Sequence, residues 1–392
     1  MRTLVVSDLH LGGASGVDVL RRAEPRAALF AALGDIDQLV LLGDVLELRH
    51  GPRRDALAAA RPFFEHLGQA FAGREIVVLA GNHDHALVES WLRARAEAQA
   101  PVAVGLEQRF PAAEASSMLA TLEEWAAPAR LTAAYPGLWL REDVYATHGH
   151  YLDCHLTVPT LERLGIGVTG RVLRRPAETF SSVDDYEAVT GPVFAWIDAV
   201  ARQAPTGSTL NGQSTVRLWR ALGGERSTSG KNGVDQSDGD GSAGLAGLAA
   251  LAPALRRRAI VGAFPLAIAL LNRTGLGSFN ADISGPELRR AGLHAMGEVA
   301  ERLRLRDAHL IFGHTHRRGP LPRDAQDEWV GPSGARLINS GCWTYDSYFL
   351  SGAPGESPYW PGGSVLVEES GPPRLMRLLD QLAADELTPL RA

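Results

Sequence analysis

The stretch TLVVSDLH, residues 3–10, joins a run of apolar residues to an aspartate and a histidine at alternate positions. Such a short apolar run predicts a buried strand. Because side chains two residues apart lie on the same side of an extended chain, Asp8 and His10 can reach one common point. The first ten residues therefore predict a polar site, formed by Asp8 and His10, at the end of the first strand.

Four further motifs follow apolar runs of the same kind. They are Gly43-Asp44, Gly81-Asn82-His83-Asp84, His148-Gly149-His150 and Gly313-His314-Thr315-His316. Together they supply carboxylate, imidazole and amide groups, which suit Mn, Fe, Zn or Co better than Ca, and no thiolate is needed. Metal-dependent ester hydrolysis uses two cations about 3.5–4 Å apart, which hold the attacking and leaving oxygens. The five motifs therefore predict a site for two metal ions at the ends of strands.

These motifs, in this order, resemble those of the calcineurin-like metallophosphoesterase superfamily. The resemblance covers residues 1–155 and 300–392. It implies an α/β (α+β) fold for the core, a four-layer α/β/β/α sandwich. It does not cover the residues between the two parts, whose pattern predicts a mostly helical insertion, or cap. It also implies two divalent metal ions, manganese first, with iron, zinc, cobalt or magnesium as alternatives.

The resemblance assigns a role to each motif residue. The implied ligands of the first metal are Asp8, His10 and His316, and those of the second are Asn82, His148 and His314. Asp44 bridges the two metals. His83 stays off the metals and contacts the substrate phosphate or protonates the leaving group. Asp84 orients His83 by accepting its other ring N–H.

Residues beside the motifs are candidates for substrate contact. His150 lies two residues beyond a metal motif, and either phosphate binding or a purely structural role fits it. Arg317 directly follows the last motif and can contact phosphate. Arginine supplies nearly all the positive charge of this chain, which weakens that argument. Glu47 and Arg49 could line the mouth of the site, but the start of a solvated helix is the preferred interpretation.

The elements of the core are predicted from apolar runs and their periodicity. The predicted strands are Leu4–Val6, Leu39–Leu42, Ile76–Leu79, Asp143–Thr147, His309–Phe312, Arg336–Asn339, Ser364–Glu368 and Arg374–Leu378. A helical pattern around Ala113–Ala129 leads to the strand at Asp143–Thr147. Strands that alternate with helices favour a sheet covered on both faces.

The middle of the chain lacks this alternation. Residues 1–155 are predicted as the first part of the core, residues 156–300 as the helical insertion and residues 301–392 as the second part of the core. Within the insertion, residues 223–244 are rich in Gly, Ser and Asp and predict a flexible loop. The apolar segment Leu245–Leu271 is predicted as a buried helix pair, with a site for an acyl chain as the alternative.

The composition fits a soluble globular protein, with 45% hydrophobic and 21% charged residues among 392. The net charge of −6 argues against a nucleic acid as partner. The most apolar stretch, Ala259–Leu271, is too short to span a bilayer. No secretory signal precedes the first strand, and the two cysteines favour a reducing compartment. A cytoplasmic location is therefore predicted, while peripheral membrane contact through the cap stays open.

The function implied by the resemblance is hydrolysis of a phosphate ester, phosphodiester or pyrophosphate bond by a metal-bound hydroxide. The substrate stays open among a nucleotide, a phosphoprotein and a lipid-linked phosphate. A metal-dependent DNA nuclease of the same superfamily is the alternative, against which the acidic balance argues. A non-catalytic scaffold on this fold is the third hypothesis, and the complete set of motifs argues against it.

Overall fold

A computed structural model describes residues 1–100, 102–203, 272–273, 279, 285–347, 350 and 355–388. Within these ranges, ten strands form one mixed sheet. The strands are β1 Thr3–Val6, β2 Gln38–Leu42, β3 Glu75–Leu79, β4 Glu107–Pro111, β5 Arg130–Arg141, β6 Val144–Thr147, β7 His309–Phe312, β8 Arg336–Asn339, β9 Gly363–Val367 and β10 Arg374–Arg377. The helices are α1 Ala23–Ala32, α2 Arg53–Ala70, α3 Glu89–Ala96, α4 Ala112–Ala115, α5 Ser117–Ala126, α6 Leu161–Leu173, α7 Val183–Gln203, α8 Gly285–Arg302 and α9 Ala384–Leu387. Short 3₁₀ turns lie at Val19–Arg21, His85–Leu87, His150–Cys154, Ala177–Thr179 and Gln326–Trp329.

The order of the strands is β10-β9-β1-β2-β3-β5-β6-β7-β8, and β4 pairs with β5. Strands β1 to β3 run parallel in one block, and β6 to β8 run parallel in another. The long strand β5 joins the blocks, since residues 130–134 pair with β3 and residues 137–141 pair antiparallel with β6. Each of the five motifs follows the carboxyl end of a strand in one of these blocks, where ligand sites of parallel sheets form.

Alternate residues of a strand face different cores, because side chains alternate across the sheet. Leu4 of β1 packs into a cluster with residues of α1, α2 and α5. Leu310 of β7 packs into a second cluster with residues of α7 and α8. Their neighbours Val5 and Ile311 belong to a third cluster, which is made by residues of both blocks. The mixed α/β class with a central sheet is therefore confirmed, while the four-layer arrangement stays a prediction.

The described part of the predicted insertion is largely helical. Helices α6 and α7 lie within residues 156–300, and α8 begins there. The predicted loop 223–244 and the apolar segment Leu245–Leu271 lie outside the described residues. The domain boundaries and the cap therefore stay predictions. Among the helices that the structure describes, none combines the length and the apolar character needed to cross a bilayer.

Helix α2 packs so closely on the end of α5 that Gly68 has no room for a side chain. A Cβ at Gly68 would lie 2.3 Å from the carbonyl oxygen of Ala126. Replacing glycine by alanine within a helix normally stabilises by about 1 kcal/mol, whereas overpacking costs about 1–3 kcal/mol. Because the clash is with backbone, we expect Gly68→Ala to lower the free energy of unfolding, measured by urea denaturation at constant m value.

The matched control is Gly191→Ala in α7, where the nearest atom to a Cβ would be Glu187 Oε2 at 3.7 Å. This is an ordinary contact, so the control should raise the free energy of unfolding by about 0.5–1 kcal/mol. A Gly68→Ala protein that is stabilised to the same extent would contradict the close packing of α2 on α5.

Candidate metal centre

The structure brings the seven predicted metal ligands together. Asp44 lies between two groups of them, with its Oδ2 3.6 Å from His10 Nε2 and 3.4 Å from His148 Nε2. On the first side, His316 Nε2 lies 3.1 Å from His10 Nε2. On the second side, Asn82 Oδ1 lies 3.2 Å from His148 Nε2. Asp44 therefore lies between the two predicted sets of metal ligands.

Among the residues that the structure describes, three groups of donor atoms are compact enough to hold an ion, with all atoms of a group within 4.8 Å of one another. The groups are Asp8, His10 and His316; His10, Asp44 and His83; and Asp44, His148 and His314. The first and third groups agree with the ligand sets expected for two metals. The second includes His83, which the resemblance keeps off the metals.

The backbone of the ligands adopts a conformation that residues other than glycine rarely use. The angle φ is positive at Asp8 (56°), His10 (46°), Asp44 (51°), His314 (66°) and His316 (59°). Such conformations cost energy and cluster at functional sites. The turns are held by backbone bonds between motifs, since the His10 N–H donates to the Asp44 carbonyl over 2.9 Å. The loops therefore direct side chains to one centre instead of continuing the strands.

Two motif glycines make room for the ligands. A Cβ at Gly81 would lie 2.2 Å from Asp44 Oδ1, and one at Gly313 would lie 2.3 Å from Asp8 Oδ2. Any side chain at these positions would displace a buried carboxylate. The glycines of these motifs thus follow from the close approach of the loops.

Three of the histidines are oriented through the nitrogen that faces away from the centre. His148 Nδ1 lies 2.9 Å from the Leu42 carbonyl oxygen, and His10 Nδ1 lies 2.9 Å from Glu47 Oε2. His314 Nε2 lies 3.1 Å from Asp153 Oδ1. An N–H donated to each of these oxygens leaves the other ring nitrogen with a lone pair toward the centre, as metal-binding histidines require.

The donor set around Asn82 fits a cation. Its Oδ1 faces His148 Nε2 at 3.2 Å and His314 Nδ1 at 3.0 Å. Turned over, the amide nitrogen would instead donate to both rings and to Asp44 Oδ2. Either way, acceptor atoms converge here, and only a hydrogen-bond donor or a cation satisfies them. The residues present therefore fit a divalent ion with mixed oxygen and imidazole ligands.

The buried carboxylates and imidazoles shift one another's pKa values. Burial alone raises the pKa of Asp44, but the charges of His148 and His83 hold it well below its usual range. Burial lowers the pKa of His148, but Asp44 raises it to about 9. Without a metal, protons on the imidazoles balance the carboxylates. Because metal ligands must be deprotonated, binding of a metal at this candidate centre would release protons.

Glu47 belongs to the site, and its interpretation as the start of a solvated helix is wrong. No helix includes this residue, since α2 begins at Arg53. Glu47 is 3% exposed, and its carboxylate lies 2.9 Å from both His10 Nδ1 and His83 Nδ1. Burial raises its pKa, but the charges of His83 and His50 hold it well below the usual range. A single carboxylate thus orients a candidate ligand and the candidate catalytic histidine.

Asp84 does not orient the His83 ring as expected. Its carboxylate accepts the backbone N–H of Gly81 at 2.7 Å and those of Asp44, Val45 and Leu46 at 3.2, 2.8 and 3.2 Å. Burial and the Asp44 charge raise its pKa to about 6. Asp84 therefore holds two motif loops together, and the contact with the His83 ring belongs to Glu47.

The two predicted substrate contacts point elsewhere. His150 is 1% exposed, its ring centre lies 4.7 Å from that of Tyr151, and burial lowers its pKa well below the ordinary value. Arg317 donates to both carboxylate oxygens of Asp324 at 2.6 and 3.1 Å, and its guanidinium lies 5.6 Å from the Trp329 ring. The structure therefore brings neither side chain to a surface that a phosphate could reach.

A small cleft lies beside the candidate centre. It is lined by Arg49, Asn82, His83, His85, Ala86, Glu89, Phe194, Ala195 and Asp198. The preferred interpretation of Arg49 as the start of a solvated helix is wrong, since Arg49 lines this cleft and is 6% exposed. It donates to the Asn82 carbonyl oxygen at 2.7 Å and to Glu162 at 2.8 Å. The cleft thus joins residues of a metal motif to residues of α7.

The backbone bonds of Asp84 predict a structural effect for Asp84→Asn. Asparagine offers one acceptor oxygen where aspartate offers two. Some of the four backbone N–H groups would therefore face the amide nitrogen, which cannot accept a hydrogen bond. We expect the free energy of unfolding to fall by about 2–4 kcal/mol, measured by chemical denaturation of the metal-free protein. Asp143→Asn, at an exposed carboxylate paired with Arg141, is the control and should change stability by less than about 0.5 kcal/mol. Equal stability of both variants would contradict this role of Asp84.

The comparisons with known proteins concern the first part of the chain. Residues 1–183 match the family model of the calcineurin-like phosphoesterases. This range includes four of the five motifs, and His314 and His316 lie beyond it. No curated protein matches the chain. Residues 1–183 are therefore similar to the calcineurin-like phosphoesterases, in agreement with the resemblance of the motifs.

Proposed function

We propose that this protein is a binuclear metal-dependent phosphoesterase, which hydrolyses a phosphate ester, phosphodiester or pyrophosphate bond. The observation that carries the proposal is the position of Asp44 between two groups of donor atoms, 3.6 Å from His10 Nε2 and 3.4 Å from His148 Nε2. A shared carboxylate between two ligand sets is the arrangement that a two-metal site for phosphoryl transfer needs.

The proposed ligand roles follow the first and the third of the three compact groups of donor atoms described above. Asp8, His10 and His316 would hold one ion, and Asn82, His148 and His314 would hold the other. Asp44 would bridge them, and manganese is the first candidate for both. When bound, such ions neutralise charge on phosphoryl oxygens and lower the pKa of water.

His83 is the proposed catalytic residue of the chain itself. Glu47 holds its Nδ1 at 2.9 Å, and the side chain is 22% exposed, so the ring reaches the cleft. Burial lowers the pKa of His83, the Glu47 charge opposes this shift, and the Arg49 charge adds to it. A ring fixed in this way can hold or deliver a proton at Nε2, toward a phosphoryl or leaving oxygen.

The finer architecture is part of the same proposal. Helices outside two sheet blocks, with a shared apolar cluster between the blocks, support the four-layer sandwich. Helix α7, which lines the cleft, and α6, whose Glu162 accepts from the cleft residue Arg49, support a cap that selects the substrate. The substrate class stays open among a nucleotide, a phosphoprotein and a lipid-linked phosphate.

Removing the shared carboxylate should abolish activity. We expect the wild-type protein to hydrolyse a chromogenic phosphodiester or the matching monoester in the presence of Mn²⁺ and to lose that activity with a chelator. Asp44→Ala should retain less than about 1% of the rate, whereas Asp143→Ala, at an exposed carboxylate, should retain it. Two bound metals without turnover of either substrate would favour the scaffold hypothesis.

Removing His83 should separate catalysis from metal binding. We expect His83→Ala to keep the metal content of the wild type and to lose about 10²–10⁴-fold in kcat. Metal content is measured by elemental analysis after gel filtration, and the rate with the substrate that the wild type prefers. A loss of bound metal would instead make His83 a ligand, which the compact group of His10, Asp44 and His83 allows.

A further inference from the structure

Glu187 is a largely buried carboxylate outside the five motifs. It belongs to α7, and its side chain is 13% exposed. Its Oε1 accepts hydrogen bonds from the hydroxyls of Tyr135 at 2.6 Å and Tyr151 at 2.5 Å. Its Oε2 lies 3.3 Å from His85 Nε2. A carboxylate placed in such surroundings is stable only when its oxygens are hydrogen-bonded, and here three side chains do this.

The three partners of Glu187 belong to three different elements. His85 lies two residues beyond His83, on the loop that also carries Asn82. Tyr151 lies three residues beyond His148, in the 3₁₀ turn after β6. Tyr135 belongs to β5, the strand that joins the two blocks of the sheet. Glu187 thus connects α7 to two loops, one that carries Asn82 and one that carries His148. Both residues are proposed ligands of the second metal.

The same face of α7 forms one wall of the cleft. Glu187, Phe194 and Asp198 are seven and four residues apart, so they lie on one stripe of the helix. The Phe194 ring centre lies 5.3 Å from that of His85 and 5.6 Å from the Arg49 guanidinium. At the far end, Asp198 accepts from Arg53 at 2.8 Å. The stripe is therefore anchored at both ends, with the cleft residue Phe194 between the anchors.

We propose that Glu187 is a positioning residue, which fixes α7 as the wall of the cleft and so sets the affinity for the organic group of the substrate. The proposal rests on the proposed function, because it assumes that the cleft receives part of a phosphate ester. Glu187 lies outside the donor atoms of the centre and reaches the cleft only through His85, which lines it. Its loss should displace a binding surface and leave the reacting groups in place.

The test uses the full-length protein and Mn²⁺-dependent hydrolysis of bis(p-nitrophenyl) phosphate. Glu187→Ala should raise KM about tenfold and change kcat by less than about threefold, as expected when uniform binding is lost. Glu187→Gln keeps an acceptor oxygen for both tyrosines and should restore KM to within about threefold of the wild type. Tyr186→Phe is the control, since it removes a partly buried hydrogen bond from α7 to His155 and should leave KM and kcat unchanged.

The alternatives give different results. A fall in kcat at unchanged KM, or no change in either for Glu187→Ala, would overturn the role of Glu187 in the cleft. If Glu187→Ala does not fold, Phe194→Leu examines the same wall, and an unchanged KM there would overturn the proposal as well.

A second readout separates this proposal from the proposed function. If the wild type hydrolyses no phosphate ester, the proposed function fails, and hydrogen exchange then decides whether Glu187 anchors the loops. Glu187→Ala should raise exchange at residues 85–87 and 150–154 more than Tyr186→Phe does. Equal exchange in the two variants would overturn the positioning role.

Discussion

The burial of carboxylates at the ends of the strands is the constraint on which the rest of the site depends. Asp8 and Asp44 are 0% and 1% exposed, and a buried charge without compensation costs several kcal/mol. Part of the compensation comes from the chain, as the His83 backbone N–H donates to Asp44 over 2.8 Å. The imidazoles supply the rest as protonated rings or as ligands of a cation. Metal binding at such a centre would therefore displace protons from the imidazoles.

The topology of the sheet makes this concentration of charge possible. Parallel strands end at the same edge of a block, so loops that are distant in sequence meet there without long connections. Strand β5 extends this effect, because it pairs with β3 and then with β6 and so brings the loop after Thr147 to the loops after Leu42 and Leu79. Positive φ angles then turn the ligands back over the strand ends. These backbone conformations cost conformational energy, and in return they fix the directions of the motif side chains.

The sequence sufficed for elements whose signal is local. The apolar runs located the strands on both sides of the site to within one or two residues. Strand β5 was missed, since Pro136 and Gly137 interrupt any strand pattern at the point where the pairing partner changes. Gly137 is needed there, because a Cβ would lie 2.3 Å from the Tyr145 hydroxyl. Glu47 and Asp84 were misassigned for another reason: the partner of a buried carboxylate is decided by tertiary contacts that spacing does not reveal.

Recognition and chemistry are consequently encoded in different ways. The motifs that supply the centre are contiguous, follow strands and are recognisable one by one. The α7 stripe has no such signature, because Glu187 depends on hydroxyls and a ring from three elements that are far from it in sequence. On the proposed function, changes on the stripe away from Glu187 would alter the cleft without touching a donor atom of the centre, so the same chemistry would serve different substrates. Glu187 limits which changes are tolerated, because it holds α7 and the two loops with proposed metal ligands in one hydrogen-bond network.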